Sequence, residues 1–366
     1  MKYNYFYMLA TAATLFFVSG CSSSSAIDDI VKEPEVVEPE PERSFVHTHS
    51  VSATTPQYEG LKHATTLKSK YYVTRVFDFL PSYGQFVNKH PKFEKGNTYR
   101  SLVAKAEKAL SQPIGGLISL GGFGGFVVVG FDHTIENKAG FMDFRVLGNA
   151  FVNKNPETGM DSGSSEPGII LVSYDANGNG EPDDEWFEIR GSEYANTKKG
   201  YKLIIHAPEV GKAPVLDNED LSLSDVEYMK WEDNEGASGY KPQLKIHQQS
   251  YFPSWIPTEV MSFEGSLLPN VATNLGTIRD QAWVNRTFDF GYADNYPNSD
   301  DRSAIDIDWA VNSKGERVHL PGVDFIKIYT GVNQQSGWLG EISTEVTGVH
   351  DLHVKGEVIK TIEVNF

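Results

Sequence analysis

The segment of the chain with the clearest chemical signature is an acidic, glycine-containing run from residue 175 to residue 185. Its Asp-Ala-Asn-Gly-Asn-Gly start places oxygen-bearing side chains at alternate positions, and the glycines allow a sharp bend. Calcium takes about six to eight oxygen ligands, so this spacing predicts a calcium site. The predicted ligands are the side chains of Asp175, Asn177, Asn179, Asp183 and Glu185, with Glu181 offering its backbone carbonyl.

The loop begins like an EF-hand, but its surroundings differ. The twelfth position is Trp186 rather than Glu, and residues 168–174 and 186–190 are typical of strands rather than helices. We therefore expect a structural calcium ion in a loop between two β-strands. The alternative is a metal-free hairpin tip whose carboxylates lie in solvent.

Two further acidic groups are predicted to be solvated surface. The first is a polar loop that contains Asp294, Asn295, Asn298, Asp300 and Asp301. In the second, Asp306 and Asp308 alternate with apolar residues, which places both carboxylates on one face of a predicted strand over 304–311.

The sequence contains no strong catalytic motif. It has no His-Glu-x-x-His zinc motif and no nucleophile elbow, and the glycines at 121–125 are followed by strand formers rather than a phosphate-binding helix. Asp132, His133 and Glu166 can be drawn as an acid–base group, but structural roles are favoured. We predict that the chain is not an enzyme; the alternative is a calcium-dependent glycoside hydrolase or lyase that uses such carboxylates.

Two polar–aromatic segments predict ligand binding instead. The first, 245–257, carries His247, Gln249, Tyr251 and Trp255 between stiffening prolines, and the second, 333–338, carries Gln334 and Trp338. Rigid Tyr and Trp side chains form platforms for flat or apolar ligands. The alternative is that these aromatic residues fill the hydrophobic core.

Short strands must position these segments. One helix is predicted over 98–111, capped by Asn97 or Thr98, with an apolar stripe that includes Leu102 and Leu110. The rest of the chain predicts strands separated by turns, without alternating helices. This pattern indicates an all-β fold with minor α, as a β-sandwich or jelly roll. We expect one domain over 56–366, with a division near 215–225 as the alternative.

The first 21 residues predict export and lipid anchoring. The apolar run from Met8 to Val18 is too short to span a bilayer, which needs about 20 residues, and is typical of a signal peptide. Val18-Ser-Gly-Cys21 resembles the bacterial lipobox, in which the cysteine is acylated. Cys21 is the only cysteine of the chain, so it has no disulfide partner within it. An ordinary signal peptide with an incidental cysteine is the alternative.

Residues 22–55 are rich in Ser, Pro and Glu and predict a disordered spacer. A serine tract followed by acidic residues resembles the tag that directs Bacteroidota lipoproteins to the outer face of the outer membrane. A periplasm-facing lipoprotein is the alternative. The net charge of −17 argues against nucleic acid as a partner.

Seven blocks over 72–352 carry a resemblance to a known family. They are SLGGFGGF at 119–126, GFDHTI at 130–135, GNAF at 148–151, SEPG at 165–168, DDEW at 183–186, GSEY at 191–194 and DFIKIY at 324–329. Together they resemble a family of Bacteroidota "cell surface protein" lipoproteins. The resemblance implies a companion of a TonB-dependent outer-membrane transporter, of the type that takes up vitamin B12 and related corrinoids. It implies no active site.

Together these patterns predict a surface-exposed lipoprotein that binds a nutrient and passes it to a transporter. The leading ligand, a corrinoid, is implied by the resemblance alone. A glycan is the alternative ligand, because both polar–aromatic segments combine aromatic rings with amide side chains. A structural or adhesion module is a further alternative.

Overall fold

Short strands dominate the chain, as its sequence predicts. The computed structural model describes residues 45–154 and 161–364. Within them the structure is mostly β with a single long helix, which confirms the predicted all-β fold with minor α. The predicted signal peptide, the lipidation site Cys21 and the spacer up to residue 44 lie outside the described residues.

The described residues form twenty strands and two α-helices. The strands are β1 (Val46–Thr48), β2 (Arg75–Leu80), β3 (Ile118–Ser119), β4 (Phe126–Glu136), β5 (Phe144–Leu147), β6 (Val152–Lys154), β7 (Asp161–Gly163), β8 (Gly168–Ser173), β9 (Trp186–Ile189), β10 (Lys198–His206), β11 (Leu223–Asp233), β12 (Ser238–Leu244), β13 (Val260–Leu267), β14 (Ala272–Asn274), β15 (Trp283–Arg286), β16 (Ala304–Ile305), β17 (Ala310–Val311), β18 (Gly322–Thr330), β19 (Glu345–Val346) and β20 (Gly348–Asp351). The helices are α1 (Tyr99–Leu110) and α2 (Leu352–Lys355).

A six-stranded sheet forms the centre of the fold, in the order β17-β9-β8-β18-β4-β2. Its central strand β18 is buried along its whole length. Because side chains alternate between faces along a strand, Ile326 and Ile328 join one hydrophobic cluster while Tyr329 joins the other. The sheet is therefore covered on both faces.

A five-stranded sheet covers one of these faces, in the order β1-β13-β10-β11-β12. Leu203 and Ile205 of β10 and Phe263 of β13 pack in the same cluster as Phe126 and Leu171 of the central sheet. Two sheets that share a core in this way form a β-sandwich.

Helix α1 covers the other face. Leu102, Ala106 and Leu110 are fully buried at i, i+4 and i+8, so one stripe of the helix faces the core. The side chain of Thr98 accepts a hydrogen bond from the backbone N–H of Ser101, and the Ser101 hydroxyl accepts one from the Thr98 N–H. This reciprocal cap confirms the predicted start of the helix.

The predicted spacer boundary at residue 55 is wrong. Phe45 is buried, and β1 pairs in parallel with β13, with Val46 opposite Ser262. This strand is difficult to predict because β1 has only three residues and depends on a partner strand more than two hundred positions away. The described residues belong to one compact unit, with no division near 215–225.

The predicted strand over 304–311 is also wrong in its middle. Strands β16 and β17 occupy its ends, and a 3₁₀ helix at Ile307–Trp309 separates them. The Asp306 carboxylate caps this helix by accepting the Asp308 N–H at 2.8 Å. No helix among the described residues has the length and apolar character needed to cross a membrane.

Candidate functional site

A cavity of about 330 Å³ lies beside the two-stranded sheet of β3 and β19. Its acidic lining comes from Glu166, Glu341 and Glu345, and its apolar lining includes Phe86 and Leu117. Ligand pockets usually measure about 300–1,000 Å³ and combine apolar walls with a few convergent polar groups. We refer to this cavity as the acidic pocket.

The chain brings the acids together from segments that are distant in sequence. Glu166 precedes β8, and its carboxyl oxygen Oε1 accepts the Ser343 N–H at 3.1 Å. Asp294, on a loop after β15, accepts the Glu345 N–H at 3.0 Å. The side-chain oxygens of Glu166, Asp294 and Glu345 consequently lie within 4.8 Å of one another.

Asp294 anchors this arrangement. Its Oδ1 accepts the backbone N–H groups of Asn149 and Ala150, both at 2.9 Å, and its Oδ2 accepts that of Glu345. Its φ angle is 48°, in the left-handed region that aspartate tolerates better than most residues. The bent backbone and the three hydrogen bonds fix the loop that carries Asn149 against β19.

The carboxyl groups of Glu166 and Glu345 are hydrogen-bonded to each other. Burial, together with the charges of Glu345 and Asp294, holds the pKa of Glu166 well above its usual range. Burial also raises the pKa of Glu345 to about 7, although hydrogen bonds from Ser343 and Ser119 favour its charged form. The pair can therefore share a proton near neutral pH.

Asp294 follows the same trend. Burial and the charge of Glu345 raise its pKa well above the usual range, against the opposing effect of its backbone N–H donors. Asp294 does not line the acidic pocket itself but lies behind Glu166 and Glu345. Clusters of carboxyl groups with raised pKa values are typical of functional sites, although buried structural networks show such shifts too.

Glu341 forms the other side of the pocket. Its Oε1 accepts the Gln85 N–H at 2.8 Å, and burial raises the pKa of Glu341 to about 7. The charge of Lys241 acts in the opposite direction on Glu341. Burial in turn lowers the pKa of Lys241 to about 7. The Lys241 amine lies over the Tyr83 ring and donates a hydrogen bond to the Asn333 side chain.

Gln85 also lines the acidic pocket and is 5% exposed. Its side-chain Nε2 donates to the Leu339 carbonyl at 2.7 Å, which fixes the orientation of the amide. Its side-chain Oε1 is buried without a hydrogen-bond partner. Such an oxygen costs free energy unless a bound group satisfies it, by about 1–3 kcal/mol.

The sequence-predicted calcium loop lies elsewhere, between β8 and β9. Asp175 is fully buried, and its two oxygens accept the N–H groups of Gly178, Asn179 and Gly180 and a hydrogen bond from His63 at 2.8 Å. A carboxylate offers about four lone-pair positions, so these four bonds occupy Asp175 completely. Burial raises the pKa of Asp175, but the hydrogen bonds from His63 and the backbone outweigh it and lower the pKa below the usual value.

The other predicted ligands of this loop divide into two groups. Asn177 and Asn179 donate their side-chain amides to Asp183 at 3.0 Å, which holds the loop closed. Glu181 pairs with Arg75 instead, and its backbone carbonyl accepts the Asp183 N–H. This part of the structure is a hairpin tip held by its own hydrogen bonds.

Glu185 points away from the other predicted ligands. Its carboxylate accepts the hydroxyl groups of Ser52, Thr54 and Tyr58, with the Thr54 bond at 2.6 Å. It therefore attaches the N-terminal segment of the described chain to the start of β9. The structure gives Asp175 and Glu185 partners other than a metal ion.

The predicted platform at 245–257 is wrong for Tyr251, which is buried in the core. Its hydroxyl accepts the Leu244 N–H and donates to the His247 carbonyl. Trp255 is half-buried and packs edge-on against Phe45. The sequence could not distinguish core from platform because both uses favour the same aromatic residues.

The remaining residues of that segment support the acidic pocket from behind. The His247 ring packs against Phe86, with ring centroids 5.1 Å apart, and the Gln249 amide donates to the Gln85 carbonyl. Both partners line the pocket. His247 and Gln249 therefore lie next to the site, one residue away from the cavity.

The 333–338 segment is similarly divided. The Gln334 side chain is used within the fold, since its Oε1 accepts the N–H groups of Val271 and Ala272. Trp338 is 43% exposed and lines a second, shallower cavity of about 210 Å³. Its neighbour in the chain, Leu339, lines the acidic pocket.

Several polar residues that we predicted to lie at the surface are buried instead. Asp294, Asn295 and Asp306 are buried, because each accepts hydrogen bonds from backbone N–H groups and so needs no solvent. Burial raises the pKa of Asp306 to about 6. Asn298, Asp301 and the edge of Asp308 do reach the surface.

The structure does not bring together the acid–base group suggested by the sequence, which consisted of Asp132, His133 and Glu166. Asp132 accepts a hydrogen bond from His133 at 2.8 Å, and His133 also contacts Asp351 at 2.7 Å. Glu166 instead contacts Ser343 and Glu345. His133 is buried between two carboxylates, which is typical of a structural histidine.

Comparisons with known proteins identify no family for this chain. No protein-family model matches the chain, and no curated protein matches it. The resemblance to the cell surface lipoproteins therefore rests on its sequence blocks. Two of those blocks meet at the acidic pocket, through Asn149 and Glu166.

Sequence reasoning missed Gln85, Glu341 and Glu345. One signal was present: Glu341, Ser343 and Glu345 alternate, and all three line the pocket. A period of two with polar residues on one side indicates an extended segment facing a polar cavity. Their partners Glu166 and Asp294 could not be identified from that pattern.

Proposed function

We propose that this chain is a lipid-anchored protein of the outer-membrane surface that binds a small nutrient in the acidic pocket and passes it to a TonB-dependent transporter. The observation that carries the binding function is the pocket itself. It is large enough for a small ligand, and its polar lining includes the carboxyl groups of Glu166, Glu341 and Glu345. The anchor and the transporter rest on the sequence, through Cys21 and the family resemblance.

The lining favours a ligand rich in hydrogen-bond donors. Carboxyl groups accept hydrogen bonds, and those that hold a proton also donate one, so hydroxyl and amide groups of a ligand are complementary to them. The apolar side chains of Phe86 and Leu117 suit the carbon face of such a ligand. Both ligands predicted from the sequence fit this description, since a corrinoid has peripheral amides and a glycan has hydroxyls.

The size of the pocket limits how each ligand could bind. A cavity of about 330 Å³ is at the small end of the usual range, about 300–1,000 Å³. One sugar ring would enter it whole, whereas a corrinoid would insert only an edge of its macrocycle. Trp338 is exposed and adjoins Leu339 of the pocket lining, so it is a candidate contact for the part of the ligand that remains outside.

The carboxyl geometry supports binding over glycoside hydrolysis. Hydrolases of that class place their two carboxyl groups about 5–5.5 Å or about 6.5–9.5 Å apart, on either side of the bond that breaks. Glu166 and Glu345 are instead hydrogen-bonded to each other. No space for a sugar linkage lies between them.

Calorimetric titration of the full-length chain in detergent tests this proposal. The ligands are cyanocobalamin and a panel of neutral oligosaccharides. We expect saturable binding of one of them. A Leu117→Trp variant, which fills the pocket, should weaken that binding at least tenfold, whereas Ile114→Trp should not.

Ile114 is a matched control because it lies three residues away, is 89% exposed and does not line the pocket. Binding that survives Leu117→Trp would place the ligand elsewhere. An absence of binding by either ligand class would contradict the proposed function.

A further inference from the structure

The second cavity, of about 210 Å³, shares one turn of the chain with the acidic pocket. Trp338 lines this cavity, and the next residue, Leu339, lines the acidic pocket. Consecutive Cα atoms lie about 3.8 Å apart. Both residues belong to a 3₁₀ helix at Gly337–Leu339, in which successive side chains point in different directions. A single turn therefore supplies wall to both cavities.

Hydrogen bonds from the linings of both cavities hold this turn in place. The amide of Gln85, in the acidic pocket, donates to the Leu339 carbonyl at 2.7 Å. In the second cavity, the side-chain oxygen of Gln281 accepts the Trp338 N–H at 3.3 Å and the ring N–H of Trp283 at 2.8 Å. The exposed indole of Trp338 thus stands on a fixed backbone, so it loses little conformational entropy when a ligand binds.

The lining of the second cavity combines apolar and polar groups. Leu221 and Ile278 are exposed apolar side chains, while Asp220 and Arg279 supply acceptors and donors. Asp220 also accepts the Gln281 amide at 2.7 Å. An indole ring beside carboxylate, amide and guanidinium groups is complementary to a sugar ring, which has an apolar face and an edge of hydroxyls. Because charges of both signs line the cavity, a neutral ligand fits it best.

The acidic pocket also contains a donor beside its carboxyl groups. Asn285 is 3% exposed and lines this pocket. Its Oδ1 accepts the Ser336 hydroxyl at 3.1 Å, which leaves its amide nitrogen without an acceptor among the described residues. A hydroxyl group both donates and accepts hydrogen bonds, so it can pair with the Asn285 amide as well as with a carboxyl group. A sugar ring carries several such groups.

We propose that the two cavities are neighbouring subsites for a neutral oligosaccharide, with one ring in the acidic pocket and a following ring stacked on Trp338. The inference rests on the proposed function and deepens it by naming the class of nutrient. Two small cavities that share a turn fit a chain of small rings better than one broad macrocycle.

Calorimetric titration of the full-length chain in detergent with sugars of increasing length tests the second subsite. The probes are glucose, maltose and maltotriose, and the matching series from cellulose, mannan and xylan. In the series that binds, we expect the trisaccharide to bind about tenfold more tightly than the monosaccharide. Trp338→Ala should weaken trisaccharide binding by about fivefold or more and leave monosaccharide binding within about twofold. Trp338→Phe, which keeps an aromatic ring, should retain most of the gain.

Tyr240→Ala is the matched control, because Tyr240 is 45% exposed and lines neither cavity. Three results would overturn the second subsite: affinity that does not rise with chain length, a rise that survives Trp338→Ala, and an equal loss in Tyr240→Ala. Binding of cyanocobalamin without binding of any oligosaccharide would also overturn it, but would leave the proposed function standing. Binding of neither class would remove both.

Discussion

Asp175 and Asp294 are both buried aspartates, yet the two regions that hold them treat negative charge differently. In the 175–185 loop, three backbone N–H groups and His63 surround one carboxylate and keep its pKa low. In the acidic pocket, Asp294 lies against Glu166 and Glu345, and burial keeps the pKa values of all three high.

The difference shows that hydrogen-bond donors and neighbouring acids together decide whether a buried carboxyl group keeps its charge. The loop has the spacing of a calcium site, but its own hydrogen bonds satisfy Asp175. The pocket has no recognisable spacing, but the carboxyl oxygens of Glu166, Asp294 and Glu345 lie within 4.8 Å of one another. Replacing the carboxylate by an amide should therefore be costly at Asp175 and tolerated at Glu345.

The largest effect on stability is expected for Asp294→Ala. The change leaves the backbone N–H groups of Asn149, Ala150 and Glu345 without an acceptor in a buried site. We expect a loss of about 3–6 kcal/mol in the free energy of unfolding, measured by urea denaturation. Asp294→Asn keeps one acceptor oxygen and should lose about half as much; equal losses would show that the backbone conformation, not the acceptor, matters.

Asp175→Asn should be the most costly amide substitution in the loop. The side-chain nitrogen of the new asparagine would face two hydrogen-bond donors that now bind a carboxylate oxygen. We therefore expect a loss of about 2–4 kcal/mol in the free energy of unfolding. Asp183→Asn is the matched control, because Asp183 is exposed, and should cost less than about 1 kcal/mol. A stability of Asp175→Asn equal to wild type would remove the distinction between loop and pocket.

Glu345→Gln should behave in the opposite way, with a dependence on pH. The folded pKa of Glu345, about 7, lies above its ordinary value of 4.5. Its contribution to stability is thus fully present below pH 4.5 and is lost as the pH rises through about 7. Without calcium, the variant should gain about 1–3 kcal/mol relative to wild type between pH 5 and pH 8.5.

Chemical denaturation of both proteins in EDTA at the two pH values measures this change. Comparing variant with wild type cancels the titration of groups that do not interact with Glu345, whereas Glu166 and Asp294 titrate together with it. A stability difference that does not vary with pH would show that Glu345 is ionised in the fold at all these pH values.

The smallest effect concerns the link between the loop and the N-terminal segment. Tyr58→Phe removes one of the three hydroxyls that bind Glu185, at 3.1 Å, and should cost about 1 kcal/mol. The effect should be the same in calcium and in EDTA, as thermal unfolding can determine. An effect seen only in EDTA would indicate that Glu185 turns to a metal ion when one is present.

The parts of this fold that could be predicted from sequence are those with local causes. Helix α1 follows from its apolar period and its Thr98 cap, and the strands around the 175–185 loop follow from their β-branched and aromatic residues. The loop itself was identified by its spacing. Its bound calcium stays a prediction, and the hydrogen bond from His63 to Asp175 could not be foreseen because His63 lies 112 positions away.

The acidic pocket depends on contacts that no local pattern contains. Glu166 and Ser343 are 177 positions apart, and Asp294 reaches back 145 positions to Asn149. Asp294 resembled a solvated loop residue because sequence shows its polarity but not the three backbone donors that bury it. Tyr251 shows the opposite error, since its aromatic ring suggested an exposed binding platform but is buried in the hydrophobic core.

Calorimetric titration of the full-length wild type beside its Leu117→Trp variant tests most directly whether the acidic pocket binds a nutrient. We expect saturable binding of cyanocobalamin or an oligosaccharide by the wild type, and binding at least tenfold weaker in the variant, whose larger side chain fills the pocket. Equal binding by both proteins, or none by the wild type, would contradict the proposed function.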